Sequence, residues 1–132
     1  MPHLVVFSTF PSADKAAEVA RTLVTECLAA CVNLVGPVRS IYRWQGELND
    51  ETETLAVIKT TREQFEALKT RLVELHPYEV AEVIALPIEA GHAPYLAWVS
   101  DSVTSNGLGA LVLFMSTSRA GACHAVVIML AV

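Results

Sequence analysis

The spacing of apolar positions changes along this chain, and each change marks a new element. Leu4-Val5-Val6-Phe7 is an unbroken apolar run, the pattern of a strand buried on both faces, and Pro11 stops it. Ser12 fits an N-cap, with Asp14 in the first turn where the helix dipole favours an acid. Ala16, Val19, Ala20, Leu23, Val24, Cys27 and Leu28 then recur at helical spacing, with Glu18, Arg21 and Glu26 on the opposite side. This pattern predicts a helix from about Ala13 to Ala29. Cys31 to Val35 returns as a strand, and Gly36-Pro37 marks a turn, bend or bulge. Val38, Ser40, Tyr42 and Trp44 alternate with Arg39, Ile41 and Arg43 as a strand should. Gln45 to Thr52 is polar and reads as a hairpin loop, and Thr54 to Thr60 as the returning strand of a long two-stranded arm.

The second half repeats the scheme. Thr61 with Gln64 forms a capping-box pattern, as does Thr60 with Glu63, and Phe65, Leu68, Leu72 and Leu75 follow at helical spacing. Pro77 ends that helix at Leu75 or His76, because the residue before proline avoids the α region. Val80 to Leu86 reads as a strand closed by Pro87, and Ala93 to Val99 as a short helix with Pro94 in its first turn. The order is β-α-β-β-α-β plus a short helix. It predicts an α+β fold: a ferredoxin-like split βαβ sandwich with both helices on one face of an antiparallel sheet. The other face must be polar or covered. Leu55, Val57, Val83 and Ile84 make part of it apolar, and self-association would cover them.

With 132 residues the chain is one domain by size. A formal charge of −5 is the wrong sign for a nucleic-acid binder. All fourteen acidic residues lie in positions 1–101, whereas the segment 102–132 carries only Arg119 as a charge. The expected organisation is therefore a compact domain over 1–101 and an apolar C-terminal extension over 102–132. The apolar runs 108–115 and 125–132 are too short to span a bilayer, so no membrane anchor is expected. The N-terminus has no basic segment before an apolar core, and the expected location is the cytoplasm. Cys27, Cys31 and Cys123 are an odd number with no disulfide framework and no CxxC pair; Cys27 and Cys31 read as two small buried thiols in a reducing cytosol, with a metal or redox pair as the alternative.

The richest chemistry lies in His76-Pro77-Tyr78-Glu79-Val80-Ala81-Glu82, where an imidazole, a phenol and two carboxylates meet at the end of a helix. His76 suits a metal ligand or proton carrier, or a residue that interacts with its own helix C-terminus. Glu53, Lys59 and Glu82 are charges on strand-like segments, fit either for a structural ion pair that fixes strand or subunit register or for a small anion or metal site. Tyr42, Trp44, Tyr78, Tyr95 and Trp98 suit a subunit interface, a ligand pocket or both. No Ser-His-Asp or Cys-His set, zinc signature or phosphate-binding glycine loop is present, so catalysis is not expected.

Several of these segments, in this order, resemble the CutA family of divalent-cation tolerance proteins over about residues 4–101. They are Ala29-Ala30-Cys31-Val32-Asn33, Tyr42-Arg43-Trp44-Gln45-Gly46, Glu53 with Lys59-Thr60, His76-Pro77-Tyr78-Glu79 and Tyr95-Leu96-Ala97-Trp98. The segment 102–132 is not part of the likeness. The resemblance implies a homotrimer whose arms reach across subunits, with a pocket near the subunit junctions. It also implies binding of, or tolerance to, a divalent metal such as copper or zinc, with His76 and Glu82 as the expected ligands. Tyr42, Trp44, Glu53, Lys59, Pro77, Tyr78, Glu79, Tyr95 and Trp98 are then expected at the pocket or interface. The likeness of the implied trimer to PII nitrogen-signalling proteins makes a small-molecule sensor or protein-interaction module the alternative, or a scaffold without ligand. Ser8 stands where some relatives carry a thiol proposed for copper, Leu75 where some carry a second histidine, and Ala81 where proline is common; the first two remove soft ligands.

Overall fold

In the computed structural model, which describes residues 3–104, 112–117 and 123–127, four strands make one sheet with two helices on one face. The elements are β1 (His3–Phe10), α1 (Ala13–Thr25), β2 (Cys31–Trp44), β3 (Glu47–Thr61), α2 (Arg62–Leu75), β4 (Ile84–Ile88) and α3 (Ala93–Val103). The strand order is β2-β3-β1-β4 with every pairing antiparallel, which is the split βαβ arrangement that the pattern predicts. Two further strands, β5 (Val112–Thr117) and β6 (Cys123–Val127), pair with each other in a separate sheet. The packing of the side chains in the runs 108–115 and 125–132 lies outside the described residues.

Alternation divides the sheet cleanly. Leu4, Val6, Ser8 and Phe10 of β1, with Ala56, Ile58 and Thr60 of β3, are buried, and their apolar members pack with Ala16, Val19 and Leu23 of α1 and Leu68 and Leu72 of α2. The opposite face carries Phe7, Leu55 and Val57, with Ile84 and Leu86 each 54% exposed and Val35 47% exposed. This is the apolar second face expected from the sequence. Val83 is the exception, because it packs against the helix-side core instead.

Boundaries move where local geometry overrides the pattern. α1 stops at Thr25, short of the expected Ala29, because Cys27 takes a left-handed φ of 58°. The Leu28 amide then bonds the Leu23 carbonyl and the Cys27 amide bonds that of Val24, which is a Schellman cap with cysteine where glycine is usual. Cys27 is also disulfide-bonded and Cys31 is free, so the expectation of plain thiols fails at Cys27. The hairpin loop is only Gln45-Gly46, both with positive φ (50° and 82°), the geometry of the tightest hairpin turns. Residues 47–52, expected as loop, continue β3 instead, and Gly36-Pro37 is a bulge within a continuous β2. Thr61 caps α2 through its backbone only; the Gln64 amide leaves the expected capping box and donates to the Val103 carbonyl at 2.6 Å. The fourth strand begins at Ile84, not Val80, and contains Pro87, which an edge strand tolerates. α3 runs on to Val103 and is held by Val99 and Val103 against Ala30, and by a 2.7 Å hydrogen bond between Ser100 and His3.

The core makes a direct prediction. Leu68 is fully buried between the helices and the sheet, so Leu68→Ala should destabilise the protein by about 2–5 kcal/mol in denaturant titrations at fixed protein concentration. Arg71→Ala, which removes an exposed fork of hydrogen bonds to Glu26, should cost no more than about 1 kcal/mol.

Candidate functional site

The site sits where the arm leaves the sheet. β1 pairs with β3 only from Thr54 to Thr61, so β3 residues 47–53 and β2 residues 38–44 stand as a two-stranded ribbon. Glu53 occupies the last position before the ribbon meets the sheet and is only 6% exposed. The Tyr78 hydroxyl donates to its Oε2 at 2.6 Å, a length typical of a hydrogen bond to an ionised carboxylate. Burial, and then the bond to Glu53, pushes the Tyr78 phenol far above its ordinary range, so Tyr78 remains a donor.

His76 holds this arrangement from behind. As the C-cap of α2 it is 8% exposed and stacks on Phe10 with ring centroids 4.4 Å apart. Its Nδ1 accepts the backbone N–H of Tyr78 at 3.1 Å, which requires that nitrogen to be unprotonated. Its Nε2 lies 2.9 Å from the Thr9 carbonyl and therefore carries the proton as donor. Burial lowers the His76 pKa, opposed in part by the Thr9 carbonyl and by Glu53. His76 thus ties residues 76–78 to the end of β1. Both ring nitrogens are engaged, and a metal at either one would displace a hydrogen bond.

In front of this wall lies a cleft of about 520 Å³. Its lining includes Tyr42, Trp44, Glu53, Tyr78, Glu79 and Glu82, all expected from the sequence, together with Thr9, Ser40, Ile41 and Val80, which were not. The Tyr42 hydroxyl donates to Glu51 at 3.1 Å, and burial followed by Glu51 raises the Tyr42 pKa. Glu51 was missed because residues 45–52 read as a loop, where side-chain direction is not defined. Thr9 and Ser40 carry no signal beyond strand alternation.

Other expected residues lie elsewhere. The Lys59 ammonium bonds the Asn33 side chain and lies 3.8 Å from the Cys31 sulfur, so it makes no pair with Glu53 or Glu82. Pro77 is exposed and lines no part of the cleft. Tyr95 and Trp98 pack against each other on α3, with centroids 5.5 Å apart, and Trp98 joins the Ala30 cluster. Ser8 is fully buried on the helix side, away from the cleft, and its hydroxyl has no partner among the described residues. Among the described residues no three His, Cys, Asp or Glu side chains are grouped to hold a metal ion, and no helix is long and apolar enough to cross a membrane.

A ferredoxin-like sheet, a projecting ribbon and a cleft at its foot define the class of protein. The chain matches the family described as CutA1 divalent ion tolerance protein over residues 4–102. It is 49% identical to the divalent-cation tolerance protein CutA of Thermus thermophilus, over 74% of this chain and 95% of that one. The corresponding Thermus structure gives a TM-score of 0.72 over 74% of this chain and 95% of that one. A CutA1 structure from a psychrotrophic Shewanella gives 0.75 at 40% identity, over 78% of this chain and 96% of that one. Mouse protein CutA is 47% identical over 76% of this chain, which spans only 59% of the mouse protein. The chain belongs to the CutA1 divalent ion tolerance family.

Two predictions follow from His76 and Tyr78. A buried histidine with a lowered pKa binds fewer protons folded than unfolded, so its stabilisation is complete above the unfolded value of about 6.5 and is lost as pH falls through the folded value. The stability difference between wild type and His76→Gln should therefore shrink as pH drops from about 7.5 into that window. Tyr78→Phe leaves the nearly buried Glu53 carboxylate without its donor, and should cost about 1–3 kcal/mol, read by denaturant unfolding.

Proposed function

We propose that this protein serves divalent-cation tolerance as a homotrimeric, non-catalytic binding module, with the cleft at the foot of the arm as its ligand site. The observation that carries the reading is the nearly buried Glu53–Tyr78 pair at the floor of a cleft walled by aromatic rings. An apolar-sided cavity with a few fixed polar groups is the usual form of a small-molecule site. The trimer is supported by two features. A free two-stranded ribbon is marginally stable in water, so the arm needs a surface to rest on. The exposed Ile84, Leu86 and Val35 give the open sheet face the apolar character that copies of the same chain would cover. Such an assembly has the outline of a PII-like sensor, and the compartment this reading assigns is the cytoplasm, which cell fractionation checks.

A divalent cation is the second reading of the same cleft, favoured by Glu53, Glu79 and Glu82 in a lining that has no Lys, Arg or His among the described residues. The donor set suits a hard, partly hydrated cation held by carboxylates better than copper, since a soft metal would have to take His76 from Thr9 or Tyr78. One protomer offers no closed metal centre among its described residues.

Light scattering should give the mass of three chains; a monomer at micromolar concentration would sink the trimeric reading. Calorimetric titration with copper, zinc and magnesium should show binding that weakens in Glu82→Gln. Unchanged binding in both Glu82→Gln and His76→Gln would remove these residues from any metal site.

A further inference from the structure

We propose that the ligand of this cleft is an organic cation: an ammonium group on an apolar body. The proposal rests on the reading of the cleft as a ligand site and names the chemistry that site selects. The floor supplies the first argument. Glu53 is 94% withdrawn from solvent, and the bond from Tyr78 to its Oε2 is its only hydrogen bond among the described residues. Glu53 lines this cleft and also a neighbouring hollow beside Pro11, Leu34 and Thr54, and it keeps acceptor positions beyond the bond from Tyr78. The second carboxylate oxygen keeps contact with solvent, and a cationic donor that replaces water there answers both its charge and its lone pairs.

The walls supply the second argument. Tyr42, Trp44 and Tyr78 line the same space, and aromatic faces attract a cation through the ring quadrupole. Ser40, Tyr42 and Trp44 alternate along β2; of the residues between and before them Ile41 also lines the space, and Arg39 and Arg43 do not. Arg39 is instead held by a forked pair of bonds to Asp50 at 2.8 and 2.6 Å. Among the described residues no cation pairs with Glu53, and the Lys59 ammonium is occupied at Asn33. Glu79 and Glu82 place further negative charge at the rim, which draws cations in and turns anions away. Ile41 and Val80 complete the lining with apolar surface. A hydrated metal ion gains nothing from that surface, whereas the carbon body of an organic cation is desolvated by it.

The test uses the full chain carrying fluorotryptophan, with the Trp44 resonance assigned through Trp44→Phe. Three probes of matched shape are titrated: phenethylammonium, 2-phenylethanol and phenylacetate. Phenethylammonium should shift the Trp44 resonance at millimolar concentrations, with the neutral and anionic probes at least about tenfold weaker. Glu53→Gln, which still accepts from Tyr78, should weaken the ammonium about tenfold and leave 2-phenylethanol unchanged. Glu82→Gln, at an exposed position that does not threaten folding, should weaken the ammonium by a smaller factor. Equal binding of all three probes, or ammonium binding indifferent to both variants, overturns the organic-cation proposal and leaves the cleft as a ligand site. A Trp44 shift with magnesium or zinc and none with phenethylammonium does the same in favour of a metal. A Trp44 resonance that responds to none of these overturns the proposal and the reading of the cleft together.

Discussion

β3 is longer than the sheet it belongs to. From Thr54 onward it lies between β1 and β2, and its alternate side chains go to the core or to the open face. Before Thr54 only β2 remains beside it. Two environments therefore meet within one strand, and Glu53 is the residue at the seam. A carboxylate can be tolerated there at 6% exposure because the backbone is fixed by the sheet on one side while the side chain opens to the cleft on the other. The placement of Tyr78, the anchoring of His76 and the position of the aromatic arm all follow from that seam.

The segment after α2 completes the site without any regular structure of its own. Residues 76–83 form no helix or strand, yet their course is set at the first step. His76 is clamped by Phe10, by the Thr9 carbonyl and by the Tyr78 amide, so its tautomer is fixed by geometry. Tyr78 then reaches Glu53, and Glu79 and Glu82 arrive at the rim. A histidine that resembles a ligand in the sequence works here as a structural pin. Its polar atoms are directed at backbone, and the groups that follow it in the chain are the ones that line the cleft.

Much of this was legible in the sequence because it depends on periodicity. The element order, the antiparallel sheet, the helix-side core and the second apolar face all follow from alternation and helical spacing. The grouping of Tyr42, Trp44, Glu53, Tyr78, Glu79 and Glu82 was also within reach, through the order of the motifs. What escaped depends on geometry that residue type does not announce. Cys27 in a left-handed cap ends α1 early, since cysteine carries no such signal. Asn49 and Asp50 look like turn residues but lie in strand, because the turn had already been made by Gln45-Gly46. Lys59, Tyr95 and Trp98, expected at a pocket or an interface, do not line the cleft, because their places along β3 and α3 put them elsewhere in the fold.

The two-residue turn at Gln45-Gly46 also makes the arm a device of fixed parity. From Val38, opposite Glu53, to Ser40, Tyr42 and Trp44 the steps are even. The face that the aromatic rings share is therefore set by counting from the seam, whatever the length of the ribbon beyond them. Adding or removing residue pairs near the tip would change the reach of the arm and keep the rings over the carboxylate. A single residue inserted between Val38 and Arg39 would bring Arg39, Ile41 and Arg43 round in their place. In this fold the sign of the charge presented to the cleft is decided by whether a short segment holds an odd or an even number of residues.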